Sequence, residues 1–395
     1  MNTLKNLYFR TWRPAVLVLS LALLAYILYF HRLGSLLPGY NQSEIETLQG
    51  ASNWHAIANN PVDAPYKVLV WFLTAILHHG VLMTRAVSAL FGTLAVLVFF
   101  AVIKPWFSFR TAFLATILFA TSAGFLHVAR LGTPYVLQLG FVAFLGAILW
   151  YRRRQNHRAA IGYLVVLLCA LLWYVPGMIW FELLGFVLLQ QGIRRQFRHL
   201  SAVHVAGYSL LFLATLAPLL AAGAHQSHIL LAAAGLPATS HELTHFGSNF
   251  LHGLLSVGVR SDGDPLLWVG HAPLLNIVEL VLMLLGVYYY LFSERSVRTT
   301  FLVGSLGISL VLAGFSANVG FTVLVPVLYL LVASGLNQLL EQWLTVFPRN
   351  PFAKSIGVGL VCIMLSFSVL YQVRSYFVAW PHNTAVRASF SSQHD

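Results

Sequence analysis

The chain has 395 residues, 58% of them hydrophobic and only 9% charged, with a mean hydropathy of +0.77 and a formal net charge of +12. Soluble domains carry about 25% charged residues, and no single soluble core hides this much apolar surface, so the composition excludes a soluble globular protein and implies a bilayer as solvent. The basic excess does not signal nucleic acid: it falls in short clusters between apolar spans, the positive-inside pattern of membrane proteins.

In chain order, the first span covers 14–31, after Lys5, Arg10 and Arg13, and has no small-residue cleavage site, so it reads as a retained helix. An outer segment at 32–83 follows. Spans at 84–103, 111–127 and 135–150 alternate around the inner cluster KPWFSFR, the outer stretch VARLGTPY and the inner cluster YRRRQNHR. Two more at 159–175 and 177–191 flank VPG, and another covers 203–222. A second outer loop spans 223–272. The remaining spans lie at 273–292, 299–316, 321–339 and 355–372. Cys169 and Cys362 both fall in apolar spans, so neither a disulfide framework nor a thiolate metal site follows. The fold class is therefore an all-α polytopic membrane protein of roughly 11 transmembrane helices, with helices lying on the outer surface. Residues 1–222 form one transmembrane module, 223–272 the second outer loop, and 273–395 the C-terminal helices with a short outer tail. The N-terminus is inside and the C-terminus outside, in a membrane expected to be the bacterial inner membrane. The stretch 66–82 is read as a surface or re-entrant helix, because counting it as a span breaks the charge rule.

Seven of the 11 acidic residues fall outside, where acids do not set orientation and are free for chemistry. Ser43-x-x-Glu46 reads as a capping box opening a surface helix over 43–58, with Ile45, Leu48, Ala51 and Trp54 as its apolar stripe. Glu46 is then a cap partner, and Glu44 is not needed for capping.

The stretches LLPGYNQSEIETL, DAPYKVLVWFLTAIL, TRAVSALFGTLAVLVFF and ATSAGFLHVARLGTPY, in that order, resemble the GT-C glycosyltransferases of family 39, which include protein O-mannosyltransferases and aminoarabinose transferases. The resemblance covers about 1–160 and continues loosely to VRSYFVAWPHNTAVRASF. It implies a GT-C fold and transfer of a sugar from a polyprenyl-phosphate donor to an acceptor hydroxyl at the non-cytoplasmic face. A carboxylate of the first outer loop acts as general base, and positive residues or a divalent cation stabilise the lipid phosphate. The family's Asp-Glu pair is Ser43-Glu44 here, so Glu44 is the expected base, with Glu46 and Asp63 as substitutes. Many members also have an acid after the third helix, where ARLGTPYVLQ has none. A catalytically degenerate scaffold that binds lipid-linked sugar is the alternative. The acceptor is open, and membrane lipid is the other expected partner.

Lys67, Arg85 and Arg130 lie in the resembling stretches and are the expected phosphate partners. Glu182 and Glu279 each fall six residues past a proline, and this matched depth suggests one cavity shared between their helices. HELTH at 241–245 matches H-E-x-x-H, with His241 and His245 as zinc ligands and Glu242 as base of a membrane metalloprotease. It stands in a loop without a third ligand at a recognised spacing, so this is the weaker alternative.

Overall fold

The computed structural model describes residues 13–77, 80–153, 158–197, 200–237, 244–261, 264–268, 270–292, 296–315, 317–346 and 351–391. Among the described residues the chain is helical, with no strand. The first helix, α1 (Arg13–Phe30), is followed by three shorter ones, α2 (Gln42–Gly50), α3 (Trp54–Asn59) and α4 (Ala64–Leu77). Then come α5 (Val81–Ile103), α6 (Phe109–Thr121), α7 (Ala123–Arg130), a 3-10 turn at Pro134–Leu139 and α8 (Gly140–Arg153). The middle of the chain forms α9 (Arg158–Leu172), α10 (Met178–Phe197), α11 (Ala202–His225), α12 (Ser227–Ala233) and α13 (Phe246–Ser256). The last part forms α14 (Ile277–Phe292), α15 (Val297–Phe315), α16 (Ala317–Val346), α17 (Pro351–Arg374), α18 (Trp380–His382) and α19 (Thr384–Ser391).

Six of these segments are long and apolar enough to cross a bilayer, or seven if α6 and α7 form one span. Four more, within α1, α4, α9 and α14, are apolar but shorter. The expectation of roughly 11 spans counted three of those four, α1, α9 and α14, as spans. Large side chains such as Leu210 and Leu213 on α11 and Ile363, Phe367 and Leu370 on α17 are exposed. Such faces are stable only against lipid, so the chain is an integral membrane protein. Inside a bilayer the backbone must satisfy its own hydrogen bonds, which is why every apolar run becomes a helix.

Two expected elements are corrected. The span at 111–127 is two helices bent by 61°. Ser122 makes the break: its hydroxyl caps α7 by accepting from Phe125 N at 3.3 Å and donates to Phe119 O at 3.0 Å. The surface helix over 43–58 is also two, because Asn53 starts α3 afresh by accepting from Ala56 N at 2.8 Å.

The core gathers on α16, which packs against α14, α15 and α6. Where α14 and α16 cross, glycines face each other. A Cβ on Gly335 would overlap the Leu282 carbonyl, and one on Gly286 would overlap that of Leu331. Small residues at a crossing let two backbones approach closely, and that packing drives helix association in lipid. Gly335→Leu is expected to destabilise the fold by on the order of 3 kcal/mol through overpacking. Gly307→Leu, at a position with open space around it, is expected to change little. Thermal melting of both variants in detergent checks the contrast.

Candidate active site

The segment between α1 and α5 folds around one buried ion pair. Asn41 is the N-cap of α2: its side chain accepts from Glu44 N at 2.9 Å, and Asn41 N donates to Glu44 Oε2 at 3.2 Å. This corrects the expected capping box. The box is Asn41-x-x-Glu44, two residues earlier than Ser43-x-x-Glu46, and exposed Glu46 only accepts from Gln42 Nε2 at 3.1 Å.

Glu44 is fully buried. Its Oε1 accepts from Arg85 Nε at 2.8 Å and from Gly132 N at 2.7 Å. Its Oε2 accepts from Arg85 Nη2 at 2.9 Å as well as from Asn41 N. A carboxylate has about four lone-pair sites, so Glu44 has none left for a substrate proton. Gly132 must be glycine here, since a Cβ would lie 2.9 Å from Thr84 Cγ2 and 3.1 Å from Glu44 Oε1.

Arg85 is engaged as completely. Its Nη1 donates to Leu33 O at 3.3 Å and Leu37 O at 2.8 Å, and its Nη2 also donates to Gly39 O at 2.9 Å. With the two bonds to Glu44, all five guanidinium N–H groups are used. Arg130 ends α1: it donates to the Leu28 and His31 carbonyls and through Nε to the Tyr376 hydroxyl at 3.2 Å. Its guanidinium also lies 4.9 Å from the Phe377 ring centroid. Both arginines, expected as phosphate ligands, are thus buried and bound to the protein's own carbonyls.

The C-terminal turn closes this centre. Phe390 stands over Arg85 at 5.4 Å, and Gly39, at φ +88°, passes so close to Phe390 that a Cβ would sit 2.7 Å from its carbonyl. Trp380 Nε1 donates to Pro265 O at 2.8 Å. His127, 1% exposed, packs edge-on against Tyr376 and Trp380. Sequence reading missed Asn41, Gly132, Tyr376 and Phe390. The N-x-x-E spacing was the available signal for the first, and nothing local marks the others.

Asp63 is placed differently. It is half-buried, at the mouth of α4, with φ +59°. Left-handed backbone is uncommon outside glycine, asparagine and aspartate, and such strain concentrates at functional sites. Its backbone N donates to Tyr174 O at 2.8 Å, which ties it to the turn between α9 and α10. Burial raises the Asp63 carboxyl above its usual range, and Lys67 opposes that shift. Lys67 lies one helical turn on, buried, with Nζ donating to Asn60 O at 2.9 Å.

Glu182 and Glu279 are not brought to one cavity by their partners. Trp173 Nε1 donates to Glu182 Oε2 at 2.9 Å. Glu279 forms a second N-x-x-E box with Asn276 and accepts from Ser368 Oγ at 3.0 Å and Gln372 Nε2 at 2.6 Å. It joins α14 to α17, and Ala123 N donates to the same Gln372 at 3.1 Å. The two carboxylates serve separate networks. His241 and Glu242 lie outside the described residues, and His245 precedes α13. Among the described residues no three His, Cys, Asp or Glu side chains converge on a metal position.

This helical arrangement is the GT-C fold. It is similar to the Archaeoglobus fulgidus oligosaccharyltransferase, solved with a tethered acceptor peptide containing the NVT sequon, at a TM-score of 0.55 and 15% identity. The match covers 97% of this chain and 56% of that one, so the chain spans about half of that protein's length. No family model and no curated protein matches the chain.

Proposed function

We propose that the protein is a glycosyltransferase that moves a sugar from a polyprenyl-phosphate donor to an acceptor hydroxyl at the non-cytoplasmic face of the membrane, with Asp63 as general base. The observation that carries this is Asp63 itself: a strained, half-buried carboxylate, in the first long segment of a GT-C fold, with no hydrogen-bonded cation on it among the described residues. The resemblance in sequence expects an acid in this segment, and Glu44 is closed off by Arg85.

In this mechanism Asp63 takes the acceptor's hydroxyl proton as that oxygen attacks the anomeric carbon. The bond between that carbon and the lipid phosphate breaks, and the phosphate oxygen leaves with the electron pair. Lys67 is the expected phosphate partner that keeps ammonium N–H groups beyond its bond to Asn60 O. A divalent cation fits poorly beside Asp63, because Lys67 already supplies positive charge there and, among the described residues, no cluster of three His, Cys, Asp or Glu side chains forms there. No step is therefore assigned to one.

The test is turnover in lipid vesicles against a panel of labelled polyprenyl-phosphate sugars, with sugar release or transfer as the readout. Release by the wild-type protein that Asp63→Asn abolishes supports the reading. The complete enclosure of Glu44 favours a second reading, a scaffold that binds lipid-linked sugar without turning it over. Carrier binding with no release from any donor of the panel establishes that one instead.

A further inference from the structure

Lys67 has a geometry that phosphate binding does not require. Its stem lies against Gly50 at the end of α2, where a Cβ would come within 3.3 Å of Lys67 Cε. Its ammonium is anchored to the Asn60 carbonyl, in the turn just before Asp63. The Lys67 backbone N donates to Asp63 O at 3.1 Å, so the two residues are locked one turn apart. Lys67 is 8% exposed, with its stem against Gly50 and its ammonium on the Asn60 carbonyl of its own segment.

Resting on the reading of Asp63 as the base, we propose that Lys67 is a positioning residue whose fixed ammonium favours the ionised, proton-accepting form of Asp63. A nearby opposite charge stabilises the ionised form, and more strongly where water is scarce. The other charged groups of the neighbourhood are committed elsewhere. Glu44 on α2 is held by Arg85, His55 on α3 is exposed, and Glu182 on α10 is bonded by Trp173. Tyr174 presents its carbonyl to Asp63, and its hydroxyl donates to Thr215 O on α11. Lys67 lowers the Asp63 carboxyl against the rise that burial causes. Asn60 Oδ1 also accepts from Val62 N at 3.3 Å, so one residue orients both the loop and the lysine.

The experiment is the pH profile of turnover for wild type, Lys67→Met and Lys67→Arg. It is run beside an infrared titration of the Asp63 carboxyl in vesicles, assigned by its loss in Asp63→Asn. Lys67→Met is expected to move both the acidic limb and the carboxyl titration to higher pH by about one unit. Lys67→Arg is expected to restore most of that shift. A pure phosphate role would lower turnover equally at every pH and leave the carboxyl titration in place, and that result overturns the proposal. Asp63→Asn with full turnover overturns the reading of Asp63 as base, while the infrared titration still decides whether Lys67 sets its charge.

Discussion

Arg85→Leu is expected to destabilise the protein by about 3–5 kcal/mol, the cost of leaving a buried carboxylate without its partner. The variant strands Glu44 inside the protein, 0% exposed. It also releases the Leu33, Leu37 and Gly39 carbonyls. The turn after α1 reaches α2 through those three carbonyls, so the start of the segment that carries Asp63 loses this anchor. Removing both charges, as Arg85→Leu with Glu44→Leu, is expected to recover part of the loss, because no unpaired charge then remains. Thermal melting in detergent of the two single variants and the double variant measures the coupling. A loss under about 1 kcal/mol for Arg85→Leu is what an exposed pair would show, and it would mean that the centre is open to solvent.

Asp63→Asn is expected to have the opposite profile. Turnover falls by about 10²–10⁴-fold, the usual contribution of a general base. The fold is kept, because asparagine tolerates the left-handed backbone as well as aspartate does. The pH dependence follows from the sign of the shift. Burial raises the carboxyl in the folded state, so the base form, and with it turnover, grows as pH rises through that raised value. Stability runs the other way: the folded state favours the protonated carboxyl, so this group's contribution is present at low pH and lost as pH rises through the folded value. Asp63→Asn is expected to remove both dependences. Turnover against pH and melting against pH are the two measurements.

The helices were legible in the sequence because each apolar run between basic clusters had one way to satisfy its backbone in lipid. The break at Ser122 was not, since a serine inside an apolar run reads as a tolerated polar residue until its hydroxyl is seen capping the next helix. The opening of α2 shows the limit more sharply. Asn41-x-x-Glu44 and Ser43-x-x-Glu46 are both capping boxes by spacing, and asparagine and serine cap about equally well. The choice is made by Arg85 and Gly132, 41 and 88 residues further along the chain. No local pattern carries that information. Glu44 therefore read as a spare carboxylate, and Arg85 and Arg130 as spare cations, because their partners are each other and backbone carbonyls. Asp63 had a visible signal in PVDAP: an acid between two prolines at a helix entrance must sit in a constrained turn. Glu182 and Glu279 had equal sequence depth, but depth does not say which neighbouring helix a side chain meets.

Two carboxylates of one segment have separate places: Glu44 holds the fold through Arg85 and Gly132, and Asp63 is the proposed base. The most direct measurement compares Asp63→Asn with Glu44→Gln in the same vesicles. Melting temperature is read beside turnover of the labelled polyprenyl-phosphate sugars, normalised to folded protein. Glu44→Gln is expected to lower the melting temperature and keep its turnover per folded molecule, while Asp63→Asn is expected to melt like the wild type and lose turnover. A stable Glu44→Gln without activity, beside an active Asp63→Asn, would contradict it.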